Sequence, residues 1–525
     1  MTMISTPTSE SSVTARSGAI ATSHSLATAA GEAAYAAGGN AIDAALAAAA
    51  ALAVVYPHNT ALGGDLVALV RTPEGRVHCV NATGVAAQNV DITELRKRHG
   101  GQLPQRGVDT ITVPGTISGW KEISRLGAEL PWAEQFNLSI QYAAEGVPVS
   151  HSLAEALING RDLIARDPGM NSIFLSDGQP LGEGALLQQP ALARTLSTLA
   201  KGGPDEFYRG EIGRTLVDGL SRLGSALTFD DFADYQAEVC EPISLEYRGH
   251  RVHTSPPNTQ GFILLRVLKM LDELGIQDPL GRDADSLGRL FFDGNRFREE
   301  LLADPRFTAL DLDQLLQGAS LGGEGTGNIQ IPTGDTVGIA AADSDGLAVS
   351  LIQSIYFSFG SGILEPTTGI LMQNRGMSFS LDADSPNILA PGKRPSHTLM
   401  PVLVTQGEHL RWANATMGGK GQPQIHTQAI LRLLAGATPE DTVSSARWIV
   451  GPHVPTDGPE TVYVETDTAP EAKEAILKTG FAVHEIPPLT DWMGHLQIVA
   501  AQPDGIFTAA SDPRSDGSAF VVPRA

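Results

Sequence analysis

The chain has 525 residues, 42% of them hydrophobic and 18% charged, which suits a protein folded around a large core and excludes a disordered one. A formal net charge of −23 excludes the basic surface that non-specific binding to nucleic acid or to an anionic membrane requires. The two cysteines, Cys79 and Cys240, are too few for a disulfide framework and are expected to be buried and reduced.

The chain opens on MTMISTPTSESSVTARSG, which is rich in Ser and Thr and lacks the charged-then-apolar layout of a secretory signal, so a cytoplasmic location is expected. GGNAIDAALAAAAALAVVYP (38–57) predicts a helix that starts after Gly38–Gly39 and stops before Pro57. Its apolar part, Ala41–Val55, is too short to span a bilayer and carries Asp43 near its start, which marks a core helix. DLVALVRTPEGRVHCVN (65–81) predicts a hairpin turning at Pro73–Gly75. Residues 120–225 are mostly helical in pattern. RVHTSPPNTQGFILLRVLKMLDEL (251–274) predicts a strand, a Pro-rich loop and an amphipathic helix.

QGASLGGEGTGNIQIPTGD (317–335) is rich in Gly and poor in apolar residues, the composition of a linker between domains. TVGIAAADSDGLAVSLIQS (336–354) follows as a strand, a turn at Asp343–Gly346 and a return strand. Thr336 thus stands at the start of a core strand, preceded by a loose peptide. A second reading follows from that placement. If the peptide before Thr336 is broken, the residue gains an α-amino group beside its own hydroxyl. With a pKa of roughly 7.7–8.0, that amine can act as general base for the hydroxyl.

Other site types find little support. The sequence holds no G-x-S-x-G elbow, no H-E-x-x-H, no Walker loop and no paired C-x-x-C. His250 and His253 lie on a predicted strand, where a separation of three puts them on opposite faces. They read as surface or packing residues, and neither a metal nor a cofactor is expected.

Eight segments resemble the γ-glutamyltranspeptidase family: GGNAIDAALA (38–47), LGGDLVALV (62–70), TVPGTISGW (112–120), SPPNTQG (255–261), GDTVGIAAADSDG (334–346), FGSGI (359–363), KRPSHTLMP (393–401) and MGGKGQPQI (417–425). They follow the family's order over nearly the whole chain. The resemblance implies an α+β fold, the four-layer αββα sandwich of N-terminal-nucleophile hydrolases. It also implies precursor cleavage into a large fragment, 1–335, and a small one, 336–525, which together build one core as a heterodimer.

By the same resemblance Thr336 is the nucleophile, Ser354 the supporting hydroxyl, and Gly418 and Gly419 the backbone N–H pair that holds the oxyanion. Thr398 matches a substrate-contacting hydroxyl, and His397 belongs to the same segment as a substrate-binding candidate. The departures concern the acyl pocket. Thr83 stands where the family has a carboxylate-binding arginine, and Ser378 where it has an ammonium-binding aspartate. Tyr356 replaces an asparagine and Arg375 a glutamine. A pocket without the family's carboxylate clamp and ammonium partner should bind a zwitterionic glutamyl group poorly. The expected activity is therefore an autoprocessing amide hydrolase or acyltransferase resembling glutathione hydrolase. A hydrolase of small carboxylated amides, oxamate-like or cephalosporin acylase-like, is the alternative. An inactive relative that binds a ligand without turnover is the third.

Overall fold

The computed structural model describes residues 17–316 and 335–523; the expected linker at 317–335 lies outside them except for Asp335, which begins a strand. The strands of two large sheets are numbered here in chain order: β1 (Gly18–Thr22), β2 (Asp65–Arg71), β3 (Val77–Ala82), β4 (Glu238–Cys240), β5 (Ile243–Tyr247), β6 (His250–Thr254), β7 (Asp335–Asp343), β8 (Ala348–Tyr356), β9 (Val402–Gln406), β10 (His409–Thr416), β11 (Leu496–Ala501), β12 (Phe507–Ser511) and β13 (Ser518–Val522). One sheet runs β13–β1–β7–β8–β2–β3–β4 and the other β12–β11–β10–β9–β6–β5. Every neighbouring pair within them is antiparallel. β7 lies between β1 and β8, so the peptide ahead of Thr336 enters the middle of a sheet and not its edge.

Alternation along β7 assigns its two faces. Val337, Ile339 and Ala341 join a core with Leu52, Val55 and Ile117, contributed by helices. Ala340 and Ala342 join a second core with Leu403, Ala413, Ala415 and Val499 of the other sheet. Small residues let the sheets approach closely: a Cβ on Gly338 would stand 2.9 Å from the Ala415 carbonyl oxygen, so only glycine fits. On the far face of the second sheet, Val402, Val404 and Ile498 pack with Leu264, Leu268 and Ile430 of two further helices.

The helix expected over 38–57 forms as Ala41–Val55, with all fifteen residues buried. Asn40 caps it: its side chain accepts from the Ile42 N–H at 2.9 Å, while the Asp43 carboxylate accepts from the Asn40 N–H at 3.0 Å. That explains the one charge in an apolar run. Such a cap is typically worth about 1 kcal/mol. The expected hairpin forms as β2 and β3, and the strand and helix expected over 251–274 form as β6 and Gly261–Glu273. His250 stacks on Trp412 and His253 contacts Thr405 Oγ1 at 3.3 Å, both packing roles. No group of three or more potential metal ligands occurs among the described residues, and none of their helices is long and apolar enough to cross a membrane. The cysteines are free, as expected, but Cys240 is only half-buried because β4 is an edge strand.

Candidate active site

Thr336 is the second residue of β7 and is 1% exposed. It faces a β-bulge: Asp335 pairs with Tyr356 and Val337 with Gln353, so β8 carries one residue more than β7 across the gap. The bulge sets Ser354 against the Asp335–Thr336 peptide. The Thr336 hydroxyl donates to Ser354 Oγ at 3.1 Å, and the Ser354 hydroxyl donates to the Asp335 carbonyl oxygen at 2.7 Å. The Tyr356 N–H donates to Ser354 Oγ at 2.8 Å and holds it in place. Tyr356 itself has φ +80°, a left-handed conformation that costs a bulky residue about 1 kcal/mol or more. From the helix Ala41–Val55 the chain runs into Asn59, whose carbonyl accepts from the Ile355 N–H at 3.2 Å. Helix and bulge are thereby tied together.

Arg375 forms the next wall. It is 1% exposed, with its guanidinium carbon 3.5 Å from the Tyr356 ring centroid. One Nη donates to Thr398 Oγ1 at 3.0 Å and the other reaches Ser378 Oγ at 3.5 Å. Among the described residues no carboxylate forms an ion pair with it. Burial pushes its pKa down to about 10, against the pull of Tyr356 and Asp65. A buried guanidinium held by hydroxyls and a ring face is a ready receptor for an anion.

His397 is paired with Asp65. Its Nε2 lies 3.0 Å from Asp65 Oδ2, and its Nδ1 accepts from the Leu399 N–H at 3.3 Å, which leaves the ring proton on Nε2. Burial, and then Arg375, hold its pKa well below the ordinary histidine value. The ring is neutral. Asp65 also accepts from Gln373 Nε2 and from the Gly84 N–H, each at 2.9 Å. Burial lifts the Asp65 carboxyl to about 7, with Arg375 and these donors opposing the rise.

Gly418 and Gly419 have φ +146° and +50°, so the turn requires glycine. The turn follows β10, whose Ala415 abuts Gly338, two residues beyond Thr336. Gln260 fixes it: Nε2 donates to the Gly419 carbonyl at 2.8 Å and to the Thr398 carbonyl at 2.6 Å, and Arg298 Nη1 donates to its Oε1 at 3.1 Å.

Direct contacts therefore join Thr336, Ser354, Tyr356, Arg375, Ser378 and Thr398, and Gln260 links Gly419 to that set. Thr83 is less direct. It is fully buried and donates to Asn81 Oδ1 at 2.7 Å; Asn258 Nδ2 donates to its Oγ1 at 3.2 Å. The Asn258 carbonyl in turn accepts from the His397 N–H at 2.8 Å. Sequence reasoning passed over Asp65, Asn258 and Gln260. The available signal was an ionisable residue heading the apolar run LGGDLVALV and two amides in the Pro-rich SPPNTQG.

Asp335 precedes the nucleophile candidate. Burial, and then Asp491, raise its carboxyl to about 7, while Ser358 and Arg106 oppose the rise. Arg106 Nη1 donates to the Ser358 carbonyl at 2.6 Å and also to that of Gly360, so the guanidinium is fixed nearby.

The chain is similar to known proteins over nearly its whole length. The family model described as gamma-glutamyltranspeptidase matches residues 27–522. The chain is 35% identical over 509 residues to the oxamate amidohydrolase proenzyme of Klebsiella pneumoniae subsp. pneumoniae, covering 92% of this chain and 94% of the other. It is 35% identical over 517 residues to the glutathione hydrolase-like YwrD proenzyme of Bacillus subtilis, covering 95% and 97%. Among solved structures, a cephalosporin acylase from Bacillus halodurans superposes with a TM-score of 0.85 at 32% identity, covering 99% of this chain and 98% of that one.

Proposed function

Because this chain belongs to the γ-glutamyltranspeptidase family, we propose that it is an autoprocessing amidohydrolase with Thr336 as its N-terminal nucleophile. One observation carries the reading: a single hydroxyl, that of Ser354, accepts from Thr336 and donates to the carbonyl of the peptide bond to be cut. As Thr336 Oγ attacks the Asp335 carbonyl carbon, its proton passes to Ser354, and the Ser354 proton passes to the carbonyl oxygen. As that adduct collapses, the hydroxyl proton passes to the nitrogen and the C–N bond breaks, which leaves an ester on Oγ with a free α-amine. Water then opens the ester, releasing the Asp335 carboxylate. The product is a large fragment, 1–335, and a small one, 336–525. The two sheets and the helices on their outer faces are read as the αββα layers of this enzyme class.

In the mature enzyme the Thr336 α-amine serves as base for its own hydroxyl, and the Gly418 and Gly419 N–H groups receive the oxyanion. Such a donor is worth about 3 to 4 kcal/mol of transition-state stabilisation. The acyl donor follows from Arg375, which among the described residues has hydroxyl and ring partners but no carboxylate ion pair. A substrate carboxylate beside the scissile amide completes it, with Thr398, Ser378 and Tyr356 around it. Small carboxylated amides fit this pocket, and two relatives named for oxamate and cephalosporin substrates support a non-glutamyl donor. The similarity to a glutathione hydrolase-like proenzyme keeps γ-glutamyl donors in the test.

Intact-mass analysis of purified protein and an amide panel test the proposal together. Two fragments, the smaller beginning at Thr336, and turnover of carboxylated amides are expected. A single uncut chain that hydrolyses the same amides refutes the nucleophile.

A further inference from the structure

Cys79 and Cys240 are separated by most of the helical region in sequence, yet they meet in the first sheet. β3 and β4 run antiparallel with Cys79 directly opposite Cys240, Val80 opposite Val239 and Asn81 opposite Glu238. Directly opposed residues in an antiparallel pair have Cα atoms about 4.5 or 5.5 Å apart, depending on whether they exchange hydrogen bonds. Both spacings fall within the roughly 4.4–6.8 Å that a disulfide bridges. These are the only cysteines of the chain.

The two thiols are not equivalent. Cys79 is fully buried, whereas Cys240 is half-buried on the edge strand. Their mutual hydrogen bond, ahead of burial, pushes the Cys79 thiol up, and the same bond draws the Cys240 thiol down. Cys240 is the more accessible sulfur and Cys79 lies behind it, the division of labour that thiol–disulfide exchange uses.

β4 is a three-residue edge strand held to the sheet only through β3. Its Glu238 forms a 2.6 Å ion pair with Arg394, in the segment that leads to His397 and Thr398. β3 carries Asn81, which binds Thr83 and Asn258. A covalent link between these strands would join two walls of the pocket at their outer end.

We propose that Cys79 and Cys240 are a modification site, closing reversibly to a cross-strand disulfide when a low-molecular-weight disulfide is present. The Cys240 thiolate attacks one sulfur of the oxidant, releases one thiolate and forms a mixed disulfide. Cys79 then attacks the Cys240 sulfur and expels the second, which takes up the Cys79 proton. The net reaction converts two protein thiols and one small disulfide into one protein disulfide and two small thiols. Two electrons pass to the oxidant. The loop closed lies wholly within 1–335, so this inference holds whether or not the chain is cut at Thr336.

The test uses full-length protein, freed of reductant and incubated with oxidised glutathione at about pH 8, where thiolate is available. Expected are loss of both titratable thiols after denaturation, a non-reduced peptide linking Cys79 to Cys240, and no species linked between chains on a gel without reductant. Dithiothreitol should reverse all three. Amide exchange at 238–240 should slow at least severalfold on oxidation. Cys79→Ser should trap glutathione on Cys240. A stable glutathione adduct on wild-type Cys240, a dimer linked between chains, two surviving thiols, or unchanged exchange at β4 would each overturn the proposal.

Discussion

The Ser354 hydroxyl stands 2.7 Å from the Asp335 carbonyl oxygen and donates its proton to it. That contact polarises the one peptide bond whose cleavage frees the Thr336 amine. Ser354→Ala removes the relay while β8 remains fully packed, so self-cleavage should slow by about 100-fold or more, the scale of losing one oxyanion donor. Ser354→Thr should retain most of the rate, and Thr336→Ala should leave one full-length chain. A time course on a denaturing gel reads all three; cleavage at the wild-type rate in Ser354→Ala ends the relay.

Hydrolysis by the mature enzyme should rise with pH through an apparent pKa of roughly 7 to 8, that of a free α-amine serving as base. His397 is neutral and faces Asp65, so it supplies no part of that limb. His397→Gln should therefore keep the ascending limb while costing about 1 to 3 kcal/mol of stability, since the hydrogen bond to buried Asp65 is displaced. A pH–rate profile beside a denaturant melt separates the two effects, and disappearance of the limb in a folded, substrate-binding variant would assign the base to His397.

Arg375→Gln should raise KM for carboxylated amides steeply, by about 2 kcal/mol or more, because the substrate carboxylate is left without its partner. Self-cleavage should proceed normally, since Asp335 is opposed by Arg106 and not by Arg375. Steady-state kinetics on amides with and without a carboxylate decides the matter. An unchanged KM for every carboxylated donor removes Arg375 from the pocket.

Asp335 makes the uncut chain sensitive to alkali. Its folded pKa of about 7 lies above the ordinary 3.8, so between those values the native state binds more protons than the unfolded state. Stability therefore falls as pH rises through that window, from full benefit below about 4 to none above about 7. Partial solvent contact at Asp335 reduces the effect to about 2 kcal/mol. In the cleavage-blocked Thr336→Ala background, Asp335→Asn should flatten that slope in melts taken across the window; an identical slope in both proteins would falsify this assignment.

The elements around Thr336 were legible because their signals are local. The turn at Asp343–Gly346 and the alanine-rich helix each announce themselves within a short window, whereas Thr336, Ser354, Arg375 and Thr398 were assigned to one site only by the resemblance to the family. What stayed hidden depends on pairing between distant strands. No local pattern says that Cys79 faces Cys240, because register across some 160 residues is set by the sheet as a whole. The bulge opposite Thr336 is hidden for the same reason, as one extra residue in β8 has meaning only against β7. Asp65 was visible as a charge in an apolar strand, but its partner lies far along the chain at His397.

Both sheets draw strands from either side of Thr336: β7 and β8 are flanked by β1 and β2, and β9 lies beside β6. Breaking the peptide at Thr336 puts at risk only the Asp335–Tyr356 pairing and leaves Val337–Ala342 laddered to β8, so the cut molecule should keep its shape and stay together on dilution. The way back from melting is another matter. An uncut chain refolds by itself at a rate independent of concentration. The two pieces must find each other while each exposes open sheet edges, the condition under which strands pair wrongly and precipitate. Cleavage at Thr336, as proposed, should therefore exchange a reversible folding equilibrium for hysteresis: after one cycle of heating and cooling the uncut chain should return and the cut one should not.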